Sequence, residues 1–413
     1  MISVASKKWI LKFFDLVQKE EIKIELPQIQ VDTQQVKNLL FIKSGIPFGF
    51  VSKFIFIPTE FTSKWTQNEK LTFLLFESQF CVYVFNRPNW TKDDFINDLL
   101  DFYEHYSTKS ISKLFTFFLK EKNFEKLEKI LEKRTDIHTN LIDSNLWVSY
   151  LSNTFVYLDV ILFDEFLRTK RTLEFSNYEN YALEALKVLI LAAQADGIVE
   201  EKELKMFNLF LASAKISDKQ KEEIEDKLKQ ANDFNLLNIK LYQDELFKRY
   251  ILTLSVLTIY SNHTAGISEK EYLNNFSYFI GIDEHCLNET LVLVENFVLK
   301  HNHEISFLQE HNSVEKLLDN VSKRWIKILG RNKDKLAQEL KQSKDLVFLI
   351  KKSTQSELSK EEKERVKTQF LDLVKTMPAL AIFMLPGGAI LLPIILKIIP
   401  DLIPSAFREN EIN

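Results

Sequence analysis

The sequence predicts an all-α protein, and three observations support this prediction. Its 413 residues include only eight glycines and nine prolines, so it has few of the residues that tight turns between strands require. No proline lies between Pro88 and Pro378, so proline interrupts backbone hydrogen bonding nowhere in this long interval. Amphipathic patterns with helical spacing recur throughout the same interval. A doubly wound α/β enzyme needs glycine-rich turns at its strand ends, and this composition does not supply them.

Charge, cysteines and motifs exclude several functional classes. The net charge is -4, so no overall field attracts nucleic acid, and we expect no DNA partner. Cys81 and Cys286 lie far apart in sequence, which predicts buried thiols in a reducing compartment rather than a disulfide framework. The sequence contains no phosphate-binding loop, nucleophile elbow, zinc-protease motif or dinucleotide fingerprint. We therefore expect a non-enzymatic protein without an organic cofactor.

Residues 1–170 are predicted to form a mainly helical first domain of unknown role. Its first helix places five apolar residues on one face, as a core-packing helix does: Trp9, Ile10, Phe13, Phe14 and Val17. The stretch from Gly45 to Pro58 combines two glycines with two prolines, which predicts a loop or a short hairpin. Thr91 followed by Asp94 predicts the N-terminal cap of another helix.

Residues 171–305 are predicted to form a second helical domain with an internal repeat. LAAQADGIVEEKELKMFNLFLASAKIS (191–217) matches YSNHTAGISEKEYLNNFSYFIGID (260–283). In each copy an apolar helix is expected to end at a glycine, Gly197 or Gly266, before a second helix with an acidic first turn. Two capping boxes are predicted, Ser217 with Gln220 and Ser268 with Glu271. Two helical hairpins packed together would bury both apolar faces.

These paired hairpins resemble the TerB-like tellurite-resistance module, a small all-helical domain in which acids beside the glycines are associated with metal binding. The first copy keeps an acid in that place, Asp196, with Glu200 and Glu203 close by. The resemblance therefore implies a divalent-cation site at these three residues. The second copy has Ala265 instead, and a hard cation needs several oxygen ligands, so helix capping and solvation are the other interpretation of the acids.

Residues 306–370 are predicted to form a charged helical connector. Gly330 is expected to mark a break, and Ser359 with Glu362 predicts a capping box. Lysine and arginine predominate toward the end of this connector, which is typical either of a solvated helix face or of the positive flank of a membrane segment.

Residues 371–413 are predicted to be a membrane segment. Met377 to Leu396 has twenty residues without charge, and such a helix spans about 30 Å, one hydrocarbon core. The spacing of polar and proline positions resembles the membrane segment of the LETM family, the leucine-zipper, EF-hand transmembrane proteins. The residues that carry the resemblance, with the glycine pair between them, are Pro378, Pro386, Gly387, Gly388, Pro393, Lys397, Pro400, Pro404, Ser405 and Phe407.

The resemblance implies a role in cation–proton exchange, osmotic balance or ribosome binding at the membrane, and bacterial relatives are labelled biofilm-associated. Two departures bear on these roles. The family has a glutamate where this chain has Ala389, and an intramembrane carboxylate is the natural ion ligand. The family also continues past the Pro-Ser-x-Phe motif into a domain with its ribosome-binding surface. This sequence ends at Asn413, so ribosome binding would have to come from elsewhere.

Charge predicts the topology. Lysine and arginine concentrate before the segment, so the positive-inside rule places the main body in the cytoplasm. The resemblance to bacterial relatives of the LETM family implies that the membrane is a bacterial inner membrane. The glycine pair also permits a re-entrant hairpin, and a buried core of a soluble protein is the third interpretation. The favoured hypothesis is a membrane-anchored helical scaffold that acts in cation or envelope homeostasis, or binds the ribosome or another partner, through lipid contact or homo-oligomerisation. The alternatives are a cation–proton transporter subunit formed by oligomerised segments and a TerB-like metal or stress-response module.

Overall fold

The computed structural model describes residues 2–27, 32–106, 122–136, 153–169, 178–197, 199, 201–230, 233–260, 266–301 and 311–377, with seven further positions between 380 and 400. Every regular element within these residues is helical, which confirms the predicted all-α class. The chain forms two compact units, Met1–Leu26 with Leu40–Asp283, and Pro27–Leu39 with Glu284–Asn413. The four domains predicted from the sequence remain predictions.

The first unit contains ten of the described α-helices, and α2 (Thr33–Ser44) contributes to both units. The ten are α1 (Trp9–Gln18), α3 (Gln67–Asn86), α4 (Lys92–Tyr106), α5 (Asn123–Thr135), α6 (Tyr157–Thr169), α7 (Tyr178–Ala193), α8 (Glu201–Ser213), α9 (Asp218–Leu228), α10 (Glu245–Tyr260) and α11 (Ile267–Phe279). Short 3₁₀ turns lie at Ile46–Phe48, Thr59–Thr62, Thr154–Val156, Phe234–Leu236 and Ile239–Gln243.

Aromatic side chains fill the core around α3. Phe76 packs against Trp9 at 5.0 Å and against Phe13 at 5.2 Å between ring centroids, both edge to face. Phe80 meets Phe95 of α4 at 5.0 Å. Phe14 is also buried, so four of the five residues predicted on the inner face of α1 lie in the core. Edge-to-face pairs add to the free energy gained by burying these rings.

The stretch from Gly45 to Pro58 is a loop that α3 holds through a carboxylate. Glu77 is fully buried, and its oxygens accept hydrogen bonds from the backbone N–H groups of Ile55 (2.6 Å), Phe56 (2.6 Å) and Ile57 (3.0 Å). Burial raises the pKa of Glu77 to about 7, against the opposing effect of these three bonds. At Gly45, with φ of +88°, an added Cβ would lie 2.4 Å from the carbonyl oxygen of Phe50, so only glycine fits.

A buried ion pair joins α5 to α6. Arg134 Nε donates to Asp159 Oδ2 at 2.6 Å, and its Nη2 donates to the other oxygen. Both side chains are at most 5 % exposed. Tyr103 of α4 donates to the same carboxylate at 3.2 Å and accepts from Gln79 of α3 at 2.8 Å. One charged pair with its hydrogen bonds therefore connects four helices.

The two repeated hairpins correspond to α7 with α8 and α10 with α11, and α7 packs against α10. Gly197 follows α7 with φ of +84°, as expected of a glycine at a helix end. The prediction for Gly266 was wrong, because this glycine is the N-cap of α11 and its N–H donates to Glu269. The capping box therefore consists of Gly266 with Glu269, two residues before the predicted pair of Ser268 with Glu271.

The second unit is built from the helices that follow Asp283. They are α12 (Glu284–Lys300), α13 (His311–Arg331), α14 (Lys333–Gln342), α15 (Lys344–Ser353) and α16 (Lys360–Lys375). Arg324 of α13 donates to Glu295 of α12 at 3.0 Å, with the carboxylate fully buried. Gly330 lies inside α13, so the break predicted there falls at Asn332 instead.

Candidate functional site

The helix that leads into the predicted membrane segment, α16, begins at a complete capping box. Ser359 Oγ accepts from the N–H of Glu362 at 3.2 Å, and the Glu362 carboxylate accepts from the N–H of Ser359 at 3.0 Å. This confirms the prediction made from their spacing. Glu362 also pairs with Lys352 at the end of α15 at 2.6 Å, and that bond holds the pKa of Glu362 below its usual value. The cap and the ion pair together fix where α16 starts.

Helices α15 and α16 form an antiparallel hairpin. Asp345, in the first turn of α15, pairs with Arg365 at 2.7 Å and accepts from the amide of Gln369. The end of α15 meets the start of α16 through the Lys352–Glu362 pair. The two helices also bury apolar side chains: Leu346, Val347, Leu349, Ile350, Val366, Phe370, Leu373 and Val374. The start of α15 therefore lies toward the end of α16, where the apolar segment follows.

The apolar segment begins inside the second unit. Met377, Leu380 and Phe383 are at most 1 % exposed. The Phe383 ring lies edge-on to Trp325 of α13 at 4.1 Å between centroids, and 6.0 Å from Phe370 of α16. Ile395 and Ile399 are also fully buried. The first turn of the segment thus packs against the helices that precede it.

The other predicted residues of the membrane segment are mostly outside the described part of the chain. Pro400 is described and half-buried, while the remaining nine lie outside: Pro378, Pro386, Gly387, Gly388, Pro393, Lys397, Pro404, Ser405 and Phe407. Among the described helices, none combines the length and the apolar character needed to cross a bilayer. The interval from Met377 to Leu396 lies largely outside that part, so the membrane segment remains a prediction.

Charge is distributed unevenly along the chain, which the overall net charge of -4 conceals. Residues 311–377 contain sixteen lysines and arginines against ten aspartates and glutamates, a net charge of +6. The rest of the chain is correspondingly acidic. Counting charge segment by segment would have shown this from the sequence. The total net charge, taken alone, indicated no attraction to an anionic partner. A basic region of this kind attracts anionic surfaces locally.

The predicted metal ligands are only partly described. Asp196 is exposed in the turn after α7, Glu203 is 3 % exposed in α8, and Glu200 lies outside the described residues. The described residues contain no group of three histidine, cysteine or acidic side chains placed to hold a metal ion. The cation site at Asp196, Glu200 and Glu203 therefore stays a prediction. Cys81 and Cys286 are both buried and are not joined in a disulfide bond, as their positions in sequence indicated.

A cleft of about 400 Å³ lies in the first unit beside the start of α1. Two of the four glutamates that line it accept hydrogen bonds from the backbone. Glu128 accepts from the N–H groups of Lys8 and Ile10, both at 3.0 Å, and Glu69 accepts from that of Ala5 at 3.2 Å. These bonds satisfy amide groups at the start of α1, which no helical carbonyl can reach. Glu128 and Glu69 thus have a structural role.

Comparison with known proteins finds a match for the C-terminal region. Residues 358–413 match the family model described as "LETM1-like, RBD". The match covers about a seventh of the chain and includes all of α16 and every position of the predicted membrane segment from Pro378 to Phe407. No curated protein and no solved structure matches the chain. From the residue before the Ser359 cap onward, this protein is therefore similar to the LETM1-like family.

Proposed function

We propose that this protein is a membrane-attached, non-enzymatic helical protein of the LETM-related class, which binds the ribosome or another anionic partner at the membrane through its basic C-terminal helices. The observation that carries the proposal is the match of residues 358–413 to the LETM1-like, RBD family. The matched residues themselves carry seven basic and seven acidic side chains, but the helices just before them are basic, since residues 311–357 have a net charge of +5, which favours an anionic partner such as the ribosome. Ribosome binding would thus involve the basic helices before the match together with the matched residues.

The attachment is assigned to the apolar run from Met377 to Leu396. Twenty uncharged residues match the thickness of one hydrocarbon core. The basic helices before the run favour a cytoplasmic location for the body of the chain, and the bacterial inner membrane is the location implied by the family resemblance. The buried contact of Phe383 with Trp325 supports a segment held firmly by the second unit where it begins. Such a segment suits a protein that presents its helices at a fixed distance from the membrane.

Membrane attachment is tested by fractionation with an alkaline carbonate wash. The full chain is expected to stay with the membrane fraction. Leu385→Arg places a charge near the middle of the apolar run, where it opposes insertion by about 3 kcal/mol, and should move much of the protein to the wash. Leu385→Ile is the matched control and should remain bound. Release of the unaltered chain by carbonate would refute membrane attachment.

Partner binding is tested by co-sedimentation with ribosomes at several salt concentrations. Lys333→Glu with Lys360→Glu reverses two exposed charges at the first positions of α14 and α16, where glutamate suits the helix dipole. The matched control, Lys219→Glu with Lys229→Glu, makes the same change in net charge on exposed residues of the first unit. The variant with Lys333→Glu and Lys360→Glu should co-sediment less with ribosomes, and its binding should depend less on salt concentration. The control variant should behave like the unaltered chain. Equal effects would indicate non-specific attraction.

Two rival functions have their own tests. A cation–proton transporter subunit would give ion flux in vesicles that depends on residues 377–404, although the position of the family's intramembrane glutamate is Ala389 here. A TerB-like metal-responsive module would bind a divalent cation in a manner abolished by Asp196→Ala. Either result would place cation homeostasis ahead of ribosome binding. Without them, the membrane-attached scaffold remains the proposed function.

A further inference from the structure

Helix α15 carries an exposed aromatic ring on an otherwise cationic face. Phe348 is 63 % exposed, whereas its apolar neighbours Val347 and Leu349 are at most 2 % exposed. Lys344 precedes it by four residues and Lys351 follows it by three, so helical spacing puts both lysines on the face that carries the ring. A phenylalanine with most of its surface exposed gains little from the core of its own unit.

The acids near this face are neutralised. Asp345 pairs with Arg365 at 2.7 Å, and Glu362 pairs with Lys352 at 2.6 Å. Along α15 the exposed ring therefore lies between two lysines, within a region that is itself basic. An aromatic ring among lysines matches an anionic lipid surface, where the ring enters the boundary of headgroups and acyl chains and the ammonium groups meet phosphates.

The position of α15 relative to the apolar segment favours the same partner. Asp345 lies opposite Gln369, which precedes Met377 by eight residues, or about 12 Å along a helix. Met377 is not helical, as expected of the residue before a proline, so the chain can change direction between α16 and the segment. The α15–α16 hairpin can therefore lie along a bilayer that the segment enters.

We infer that the face of α15 formed by Lys344, Phe348 and Lys351 contacts the anionic lipid surface of the membrane, with the ring of Phe348 at headgroup level. This inference rests on the proposed membrane attachment and deepens it. The segment attaches the chain, and the α15 face sets the angle of the second unit to the bilayer. The partner is an anionic phospholipid headgroup layer rather than a protein groove.

The test uses a spin label on the full chain, carried by Phe348→Cys. Both native cysteines are buried, so the label reports the introduced site. Tyr278→Cys is the matched control, on a residue that is 87 % exposed on α11 of the first unit. The protein is reconstituted into vesicles of phosphatidylcholine with phosphatidylglycerol. Collisions of the label with oxygen, which prefers lipid, are compared with collisions with a water-soluble nickel chelate.

The expected result is a higher ratio of oxygen to nickel collisions at position 348 than at position 278. Replacing Lys344 or Lys351 by glutamine removes one positive charge. Each replacement should reduce the population in which the label at position 348 contacts lipid about fivefold, and only when phosphatidylglycerol is present. If the chain stays with the vesicles but both labels remain in water, this inference fails and membrane attachment stands. If carbonate releases the chain, both fail. A label at 348 that is already immobilised in detergent would indicate a protein contact and overturn the lipid assignment.

Discussion

The buried pair of Arg134 and Asp159 predicts a large non-additivity of stability. Removing one partner leaves the other charge buried, which costs about 3–5 kcal/mol. We therefore expect Arg134→Met and Asp159→Val each to destabilise the first unit by that amount. The Arg134 guanidinium also lies over the ring of Tyr178, with its Cζ 4.9 Å from the ring centroid, and its Nη1 has no hydrogen-bond partner among the described residues.

The double variant should be far less destabilised than the sum of the two singles. It fills a similar volume with apolar atoms, and replacing a buried ion pair in this way is often neutral or stabilising. Tyr103 loses its acceptor on Asp159, which costs about 1–3 kcal/mol. The double variant should thus lie within about 2 kcal/mol of the native chain, with a coupling energy of at least about 4 kcal/mol.

Urea unfolding followed by tryptophan fluorescence measures these values. A Trp325→Phe background confines the signal to tryptophans of the first unit. Far-ultraviolet circular dichroism of each variant before unfolding checks that its helices are intact. Additive destabilisation in the double variant would refute the reasoning, because it would mean that the two charges stabilise the fold independently of each other.

Three further predictions concern a titrating lysine, a helix cap and a packing contact. Burial lowers the pKa of Lys215 to about 7, so between pH 7 and its usual value of 10.5 the unfolded chain binds the additional proton and stability rises with pH. Lys215→Met should remove a slope of up to about 1.4 kcal/mol per pH unit from urea unfolding curves, and an unchanged slope would contradict the shifted pKa. Ser359→Ala should destabilise α16 by about 1 kcal/mol in hydrogen exchange, whereas Thr368→Ala, an exposed change within the same helix, should not. Trp325→Ala should destabilise the second unit by about 3–5 kcal/mol and expose it to proteolysis, while the adjacent Ile326→Ala, at a residue that is 42 % exposed, should leave protease resistance unchanged.

Local patterns predicted the helices and most of their ends, because these depend on residues a few positions apart. The Ser217 and Ser359 capping boxes and the inner face of α1 are of this kind. The box at Ser268 was wrong because Gly266 with Glu269 has the same spacing, and glycine is also an acceptable N-cap. Spacing alone cannot distinguish two such overlapping pairs.

Contacts between distant residues could not be predicted in the same way. Arg134 binds Asp159, and Glu77 binds loop residues that lie 20 to 22 positions before it. In the sequence, each of these residues is one charged residue among many. Only the packing of the helices determines which charged residues become buried partners. A carboxylate inside the apolar run of α3 was a usable signal for Glu77, since a buried acid needs several donors. The family resemblance predicted the C-terminal candidate site. It did not predict the positive charge of residues 311–377.

The packing at the start of the apolar segment sets its rotational register. Met377, Leu380 and Phe383 are buried at intervals of three residues, the period of a 3₁₀ turn, and the N–H of Leu380 donates to the carbonyl of Met377 at 2.9 Å. Inserting one residue between Thr376 and Phe383 would turn the remainder of the segment by about 120° relative to Trp325. Which side of the segment faces the protein is therefore decided by chain length at this junction, and insertions there should be tolerated far less well than substitutions.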